Sequence, residues 1–540
     1  MQASWSDTKS ERNDSMSLNS AFRSLKKKGI KKSLRALKKK VERDRLRGDL
    51  EMHKKNAAAL TEDGSLEFGR KIELAGEINA FITANLSLLR YADLAELCTG
   101  VARFIVASRS DLDHRQKLEL SSGAVSFVSA QCKDKLKITP ELEELNSLLW
   151  ELEKDKSYNK FLKDYHIKEL YPAVYAENAG KPVEDKVIVM ESGNSPSPSS
   201  QRLARVIRDS GKYKVVYIGL KVRQVPNAVF FNNGIRLIRE LATAKALFLS
   251  TVNELLSWFD LRSETRVIQL WHGVGAFKHV GYSTVDNAHF GKNREQWDEF
   301  DSFRNYYAVT IAGEGQRWIF KDSMHLDDEK ILPIGIARTD VFFDDSYRSE
   351  ALAKLHETFP QTKGKRIILY APTFRGEVAN AKAPDRLDVK KLAEALSEDS
   401  VLLIKHHGLS KDVPPIPEGL ENSFAFDMNA NRILNIEQLL TIADVLITDY
   451  SSVAFEYAIM ERPIIFFTYD LDQYVEERGL YFDFREEAPG PLCFDTDDIV
   501  SCLRDPEQGF DRQKLTAFKN KYVDACDGHS IERTIALIGE

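Results

Sequence analysis

ADVLITDYSSVAFEYAIM, residues 443–460, is the stretch whose reading decides the fold. Val445 to Thr448 form the short apolar run expected of a buried parallel strand. The run stops at Asp449-Tyr450, and Ser451-Ser452 then open a helical pattern of Val453, Phe455, Ala458 and Ile459. Serine at a helix start is expected to cap unpaired backbone N–H groups. Those groups, with the positive end of the helix dipole, suit a phosphate. A strand–Asp-Tyr-Ser-Ser–helix junction therefore predicts a phosphate site at the carboxyl edge of an α/β sheet.

The same punctuation recurs on both sides of this stretch. Upstream lie KVIVMESG, YKVVYIGL, NAVFFNNG, AKALFLS, RVIQLWHG and YYAVTIAGE, followed by KRIILYAPTFRG, SVLLIKHHG and, after the opening stretch, PIIFFTYD. Apolar runs of four to six residues alternating with helical stretches predict parallel sheets. Two series divided near Asp340–Ser349 predict two doubly wound domains facing a cleft, residues 181–345 and 346–540. Before them, residues 61–180 carry a helical period, with Leu74, Ile78, Ile82 and Leu86 at i+4 steps and LEELNSLLWELEKD repeating the pattern.

Charge separates the first 60 residues from the rest. They hold 17 Lys/Arg against 7 Asp/Glu, whereas the whole chain has a net charge of −6. The excess lies between Phe22 and Arg47, where Phe22, Leu25, Ile30, Leu34 and Leu37 recur among lysines. That pattern predicts a basic helical arm suited to an anionic membrane surface. Nucleic acid is the rival polyanion for such an arm, and no nucleic-acid partner is expected. The Ser-, Asn- and Asp-rich residues 1–20 are expected to be disordered. No run approaches the ~18 apolar residues of a membrane span, and no apolar signal core stands near the start. Cys98, Cys132, Cys493, Cys502 and Cys526 are scattered without metal-ligand spacing, which fits a reducing compartment.

Polar residues cluster just after the predicted strands, where open α/β sheets hold ligands. After RVIQL come Trp271, His272 and Gly273, with Lys278 beyond; after ILPI come Arg338 and Asp340; after RIILY come Thr373 and Arg375. VLLI is followed by Lys405, His406 and His407, and VLIT by Asp449, Ser451 and Ser452. His406 should alternate to the opposite face from Lys405 and His407. Such a cleft would hold a polyanion and neutralise charge developing on it. There is no GxxxxGK[ST] loop, no GxSxG elbow and no carboxylate–histidine spacing of a metal cage. Histidine, arginine, lysine and helix N–H groups suit phosphoryl chemistry on a nucleotide diphosphate compound.

QLWHGVGAFK, GIARTD, LYAPTFR, IKHHG, LLTIADVLITDYSSVAFEYA, RPIIFF, YDLDQYVEERGLYFDF and PGP, in this order, resemble the motifs of the CDP-glycerol glycerophosphotransferases. These bacterial enzymes prime or polymerise teichoic acids and related poly(polyol phosphate) capsules. The resemblance implies a GT-B-like fold with the nucleotide on the C-terminal domain. It implies CDP-glycerol or another CDP-polyol as donor and a lipid-linked or polymeric acceptor, at the cytoplasmic face of the membrane. It further implies His272 as general base, with Arg375, His407 and Arg338 stabilising phosphate charge and Ser451 and Ser452 seating the diphosphate. Trp271, Gly273, Lys278, Thr373, Lys405, Asp449 and Arg478 complete the expected substrate contacts. Val274-Gly275, Ile336-Ala337, Gly408 and Glu456 depart from the usual residues at their positions. No metal ligands are assigned, and a Mg²⁺ requirement stays open. So do the choice between glycerol and ribitol, and a nucleotide-sugar glycosyltransferase of the same fold.

Overall fold

A computed structural model of the chain describes residues 38–131, 140–191, 198–220, 225–285, 287, 292–376, 380–504 and 509–539. The chain divides into two compact units, Met1–His166 with Val222–Asn233, and Ile167–Lys221 with Gly234–Glu540.

The first unit is helical. Leu74, Ile78 and Ile82 form the buried stripe of the helix Phe68–Asn85, as their i+4 spacing predicts. The helix Tyr91–Ala107 is apolar around most of its circumference, from Leu94 and Leu97 to Phe104 and Ile105, and is buried accordingly. LEELNSLLWELE forms the helix Pro140–Glu153, with Leu142, Leu145, Leu149 and Leu152 inside. Most of the basic arm, residues 22–37, lies outside the described residues, as does the stretch 1–20. Of its described cations, Lys39 donates to the Ser87 carbonyl at 3.0 Å and Arg43 to that of Leu88.

The second unit contains two parallel sheets. The first consists of β1 (Glu184–Glu191), β2 (Lys214–Gly219), β3 (Ala244–Leu249), β4 (Arg266–Gln269), β5 (Tyr306–Thr310) and β6 (Ile331–Leu332), in the order β2-β1-β3-β4-β5-β6. The second consists of β7 (Arg366–Tyr370), β8 (Ser400–Ile404), β9 (Ala425–Asp427), β10 (Val445–Thr448), β11 (Ile464–Phe467) and β12 (Leu492–Cys493), in the order β12-β11-β10-β7-β8-β9. Every residue of β10 is buried, as the run VLIT requires when helices cover both faces. At about 1.5–3 kcal/mol per fully buried aliphatic side chain, such strands supply much of the folding drive.

Three expectations change. NAVFFNNG is not a strand; it opens the helix Asn227–Leu241, because GIRLIREL continues the run with helical period. The carboxylate of Glu153 accepts the N–H groups of Asn227 and Ala228, both at 2.8 Å, as an external cap. The division at residue 345 does not hold for the chain's end. Ile531 and Ile538 pack into the core of the first sheet beside Val187, Phe248 and Ile268. Asp340 draws them there by accepting the N–H groups of Ser530 and Ile531 at 3.0 and 2.8 Å. Finally, Ser452 makes no side-chain cap at the helix Val453–Ile459. The N–H groups of Ala454 and Phe455 instead bond back to the carbonyls of Ser451 and Ser452, at 3.2 and 3.0 Å.

Candidate active site

In the second sheet the chain runs outward from β7 to β9 on one side and from β10 to β12 on the other. The loops leaving β7 and β10 therefore part from each other, which opens the crevice where doubly wound sheets take ligands. Opposite them lies the loop after β4. A cavity of about 560 Å³ lies between, within the roughly 300–1,000 Å³ of small-molecule sites. Trp271, His272, Gly273, Lys278 and Arg338 line it from the first sheet's side, and Thr373, Lys405, His407, Ser451 and Ser452 from the second's. Arg375, Asp449 and Arg478 are not in the lining.

The two sides meet closely. A Cβ at Gly275 would lie 2.5 Å from the Phe455 ring, so only glycine lets this loop rest against the helix Val453–Ile459. A Cβ at Gly273 would come 3.2 Å from the Ser452 Oγ. Phe277 inserts between Phe455 and Phe484, with ring centroids 4.5 and 5.0 Å away.

His272 is presented by a strained backbone. Trp271 before it is buried with φ +58°, a left-handed conformation that costs a bulky residue about 1–3 kcal/mol. Gln269, fully buried at the end of β4, compensates. Its Oε1 accepts the Trp271 N–H at 2.8 Å, and its Nε2 donates to the Tyr306 hydroxyl at 2.8 Å and the Thr251 carbonyl at 3.3 Å. The His272 ring is open to the cavity. Enclosure by the cleft and then the positive charge of Arg338 lower its pKa, against a hydrogen bond with the Ser250 backbone. A neutral imidazole at neutral pH is what a general base requires.

Arg338 is not free to meet a phosphate with its whole fork. Its Nη2 bonds Glu437 at 2.8 Å and Glu456 at 2.9 Å, and its Nη1 donates to the His272 carbonyl at 2.7 Å. Burial pushes the Glu456 carboxyl up to about 7, although Arg338 pulls the other way. Arg375 requires a larger correction. Its Nε and Nη2 grip Asp470 at 2.5 and 3.1 Å, and its Nη1 reaches Asp449 at 2.9 Å and the Thr373 carbonyl at 3.0 Å. Asp449 in turn accepts the Thr373 N–H at 2.9 Å. This pair of carboxylates consumes the guanidinium and holds the β7 loop to the β10 loop. The Arg375 guanidinium, expected to stabilise phosphate charge, is thus engaged by carboxylates and stands outside the cavity lining.

Lys278 and Lys405 do face the cavity. Lys278 has no carboxylate partner within ion-pair distance among the described residues, and burial lowers it to about 8 while Asp449 pulls upward. Burial also lowers Lys405, against Asp427. His407 Nδ1 accepts the Leu409 N–H at 3.2 Å, which leaves its proton on Nε2. Burial, then Lys278, lower its pKa. His407 is thus a neutral donor. His406, expected on the opposite face, is buried yet also borders the cavity. Arg478 ends the helix Leu471–Arg478 outside the lining. No group of three His, Cys, Asp or Glu that could hold a metal occurs among the described residues. Glu456, Asp449 and Asp470 are each paired with arginine, so these carboxylates do not compose a Mg²⁺ seat.

The family model described as CDP-Glycerol:Poly(glycerophosphate) glycerophosphotransferase matches residues 173–540. The chain belongs to this family. The teichoic acid poly(ribitol-phosphate) polymerase of Bacillus spizizenii is 30% identical over 74% of this chain, which spans 63% of that polymerase's length. The teichoic acid ribitol-phosphate primase of the same organism is 33% identical over 55% of this chain and 75% of its own. The teichoic acid glycerol-phosphate primase of Bacillus subtilis is 30% identical over 57% of this chain and 77% of its own. A solved structure of the wall teichoic acid polymerase TagF superposes with a TM-score of 0.57 at 24% identity, over 70% of this chain and 92% of that one. This family member has the GT-B-like fold.

Gln269, Glu437 and Glu456 were not among the site residues expected from sequence. Gln269 carries one signal, a polar residue ending the apolar run RVIQL. Glu456 carries another, a carboxylate four residues after Ser452 in an otherwise apolar helix.

Proposed function

We propose that this protein transfers a polyol-phosphate unit from a CDP-polyol, most simply glycerol phosphate from CDP-glycerol, to a hydroxyl of a lipid-linked or growing poly(polyol phosphate), and releases CMP. One observation carries the reading. In a member of this family, a single cavity at the carboxyl ends of two parallel sheets gathers His272, Lys278, Lys405, His407 and the hydroxyls of Ser451 and Ser452.

The acceptor hydroxyl gives its proton to the free ring nitrogen of His272 as its oxygen attacks the phosphorus bearing the polyol. The bond from that phosphorus to the bridging oxygen breaks, and CMP leaves with the electron pair. Lys278, Lys405, His407 Nε2–H, Ser451 and Ser452 face the phosphates and stabilise the charge that moves onto their oxygens. Arg375 and Asp449 keep the two donor-side loops in register.

The relatives' names include both ribitol phosphate and glycerol phosphate, so the donor panel must contain both. No helix of the described residues is long and apolar enough to cross a membrane. The work on a lipid-linked acceptor is assigned to the cytoplasmic face through surface attachment by the basic arm. Purified protein incubated with CDP-glycerol, CDP-ribitol and a synthetic acceptor should release CMP and extend the acceptor. Turnover of a UDP-sugar with release of UDP, and none of either CDP-polyol, would establish a glycosyltransferase instead.

A further inference from the structure

Arg338 and Glu456 form an ion pair with two unfilled corners. Arg338 uses Nη1 and Nη2 on His272, Glu437 and Glu456, while Glu456 uses only Oε1. The Arg338 Nε and the Glu456 Oε2 are buried with no hydrogen-bond partner among the described residues. One is a donor and the other an acceptor. Both side chains border the cavity, whereas Glu437 does not. Native proteins rarely leave such atoms unpaired, and a charged group left so is the costliest case. A hydroxyl is the small group that accepts and donates through one oxygen, so it complements this pair of corners. Ser452, the αR residue that opens the helix Val453–Ile459, stands four residues before Glu456, a spacing that brings Cβ atoms to about 5–6 Å. A phosphate at Ser452 would bring a polyol attached to it within reach of Glu456.

We infer that Arg338 and Glu456 together bind a hydroxyl of the donor's polyol and thereby select that polyol. This rests on the function proposed above. The donor would place its phosphates on Ser451, Ser452 and Lys278, and its polyol on the Arg338–Glu456 side of His272. The fork that was expected to meet phosphate is instead aligned by two carboxylates for a neutral hydroxylated group.

The test compares donors in one preparation, so the ratio does not depend on how much of a variant folds. Wild-type protein is assayed by CMP release with the CDP-polyol it uses best and with analogues of that donor lacking single hydroxyls. One analogue should lose at least about tenfold in kcat/KM, as sites built to bond a hydroxyl reject molecules without it. In Glu456→Gln and Glu456→Asp the penalty for that analogue should fall to within about twofold, because the bonding oxygen is removed or withdrawn. Glu437→Gln changes the same guanidinium outside the cavity and should keep the wild-type penalty, which a merely structural role of the cluster would not allow. An undiminished penalty in both Glu456 variants overturns the inference. So does a penalty lost equally in Glu437→Gln, or a hydroxyl dependence found only with deoxy acceptors. Wild-type protein that releases no CMP from any CDP-polyol overturns the proposed function instead.

Discussion

Arg338 donates a 2.7 Å hydrogen bond to the backbone carbonyl of His272 while its other terminal nitrogen is held by Glu437 and Glu456 from the opposite sheet's helices. His272, the proposed proton acceptor, is therefore fixed to the helix that follows Ser452. Arg338 acts on His272 in two ways. It orients the loop through the carbonyl, and its charge adds to burial in lowering the imidazole's pKa.

His272→Ala should lower turnover by about 10²–10⁴, the contribution of a general base, and leave donor affinity nearly unchanged. The pH profile carries a second check. The base works only when neutral, and its pKa lies below the ordinary histidine value of 6.5. The acid limb of kcat/KM should therefore fall below that value. Arg338→Gln should move the limb upward, since a positive neighbour is removed. A wild-type limb above 6.5 would assign it to another group.

Gln269→Met removes the amide that holds Trp271 at φ +58°. Leaving the buried Trp271 N–H unpaired costs about 1–3 kcal/mol and allows the backbone to relax away from the strained conformation. We expect kcat to fall by about tenfold or more, one decade per 1.36 kcal/mol of lost alignment, with the donor KM little altered. Equal losses in donor binding and kcat would show that Gln269 supports the whole cleft and not His272 alone.

Arg375→Ala should act on stability before it acts on the donor. It strands Asp449, only 2% exposed, and Asp470, 15% exposed. Breaking a buried pair from one side costs about 3–5 kcal/mol. The guanidinium also lies 5.1 Å from the Tyr474 ring and 5.4 Å from that of Tyr450. A clear drop in the urea midpoint is expected. An unchanged midpoint with abolished donor binding would return Arg375 to the phosphate site.

The strands and their carboxyl-end clusters were legible because their signal is local. Four apolar residues followed by Asp-Tyr-Ser-Ser contain most of what β10 needs. Asn227–Leu241 was misread because VFF alone has no period; only the following residues and a distant cap from Glu153 decide for helix. Strands β9 and β12, three and two residues long, are defined by their sheet neighbours more than by their own composition. At the site, residue type identified cations but not their partners. Arg375 and Lys278 read alike in sequence. In three dimensions one is consumed by two aspartates and the other faces the cavity.

Lys278 is expected to make donor binding depend on pH. Burial lowers it to about 8, so it loses its proton within an accessible range. A diphosphate favours the charged amine, so binding above that pH should take up a proton and weaken as pH rises. Calorimetry in two buffers of different ionisation heat measures the uptake. Lys278→Met should bind more weakly, with the uptake gone. The stability effect has the opposite sense. The folded value lies below the unfolded 10.5, so the unfolded chain binds more protons between about 8 and 10.5, and stability attributable to Lys278 rises with pH across that window. Donor affinity flat from pH 7 to 9.5 would remove Lys278 from the phosphate contacts.

The basic arm can be tested without damaging the helical unit. Ala57 and Leu60 are 3% and 2% exposed, so a truncation reaching residue 60 would open that unit's core. Removing residues 1–37 spares the described helices. Thirteen Lys/Arg and two acidic residues lie between positions 22 and 47. Deleting residues 1–37 removes the part that precedes the described helices. At about 1 kcal/mol per cation near an anionic surface, contact by only a few gives useful attachment. The full chain should sediment with anionic vesicles, and raised salt should weaken that association. The truncated protein keeps six of those thirteen cations, so it should sediment less than the full chain, be released at lower salt, and still turn over a soluble acceptor analogue. If it sediments with the vesicles as the full chain does, attachment belongs to another surface, and the helices between residues 68 and 164 are the next to be tested.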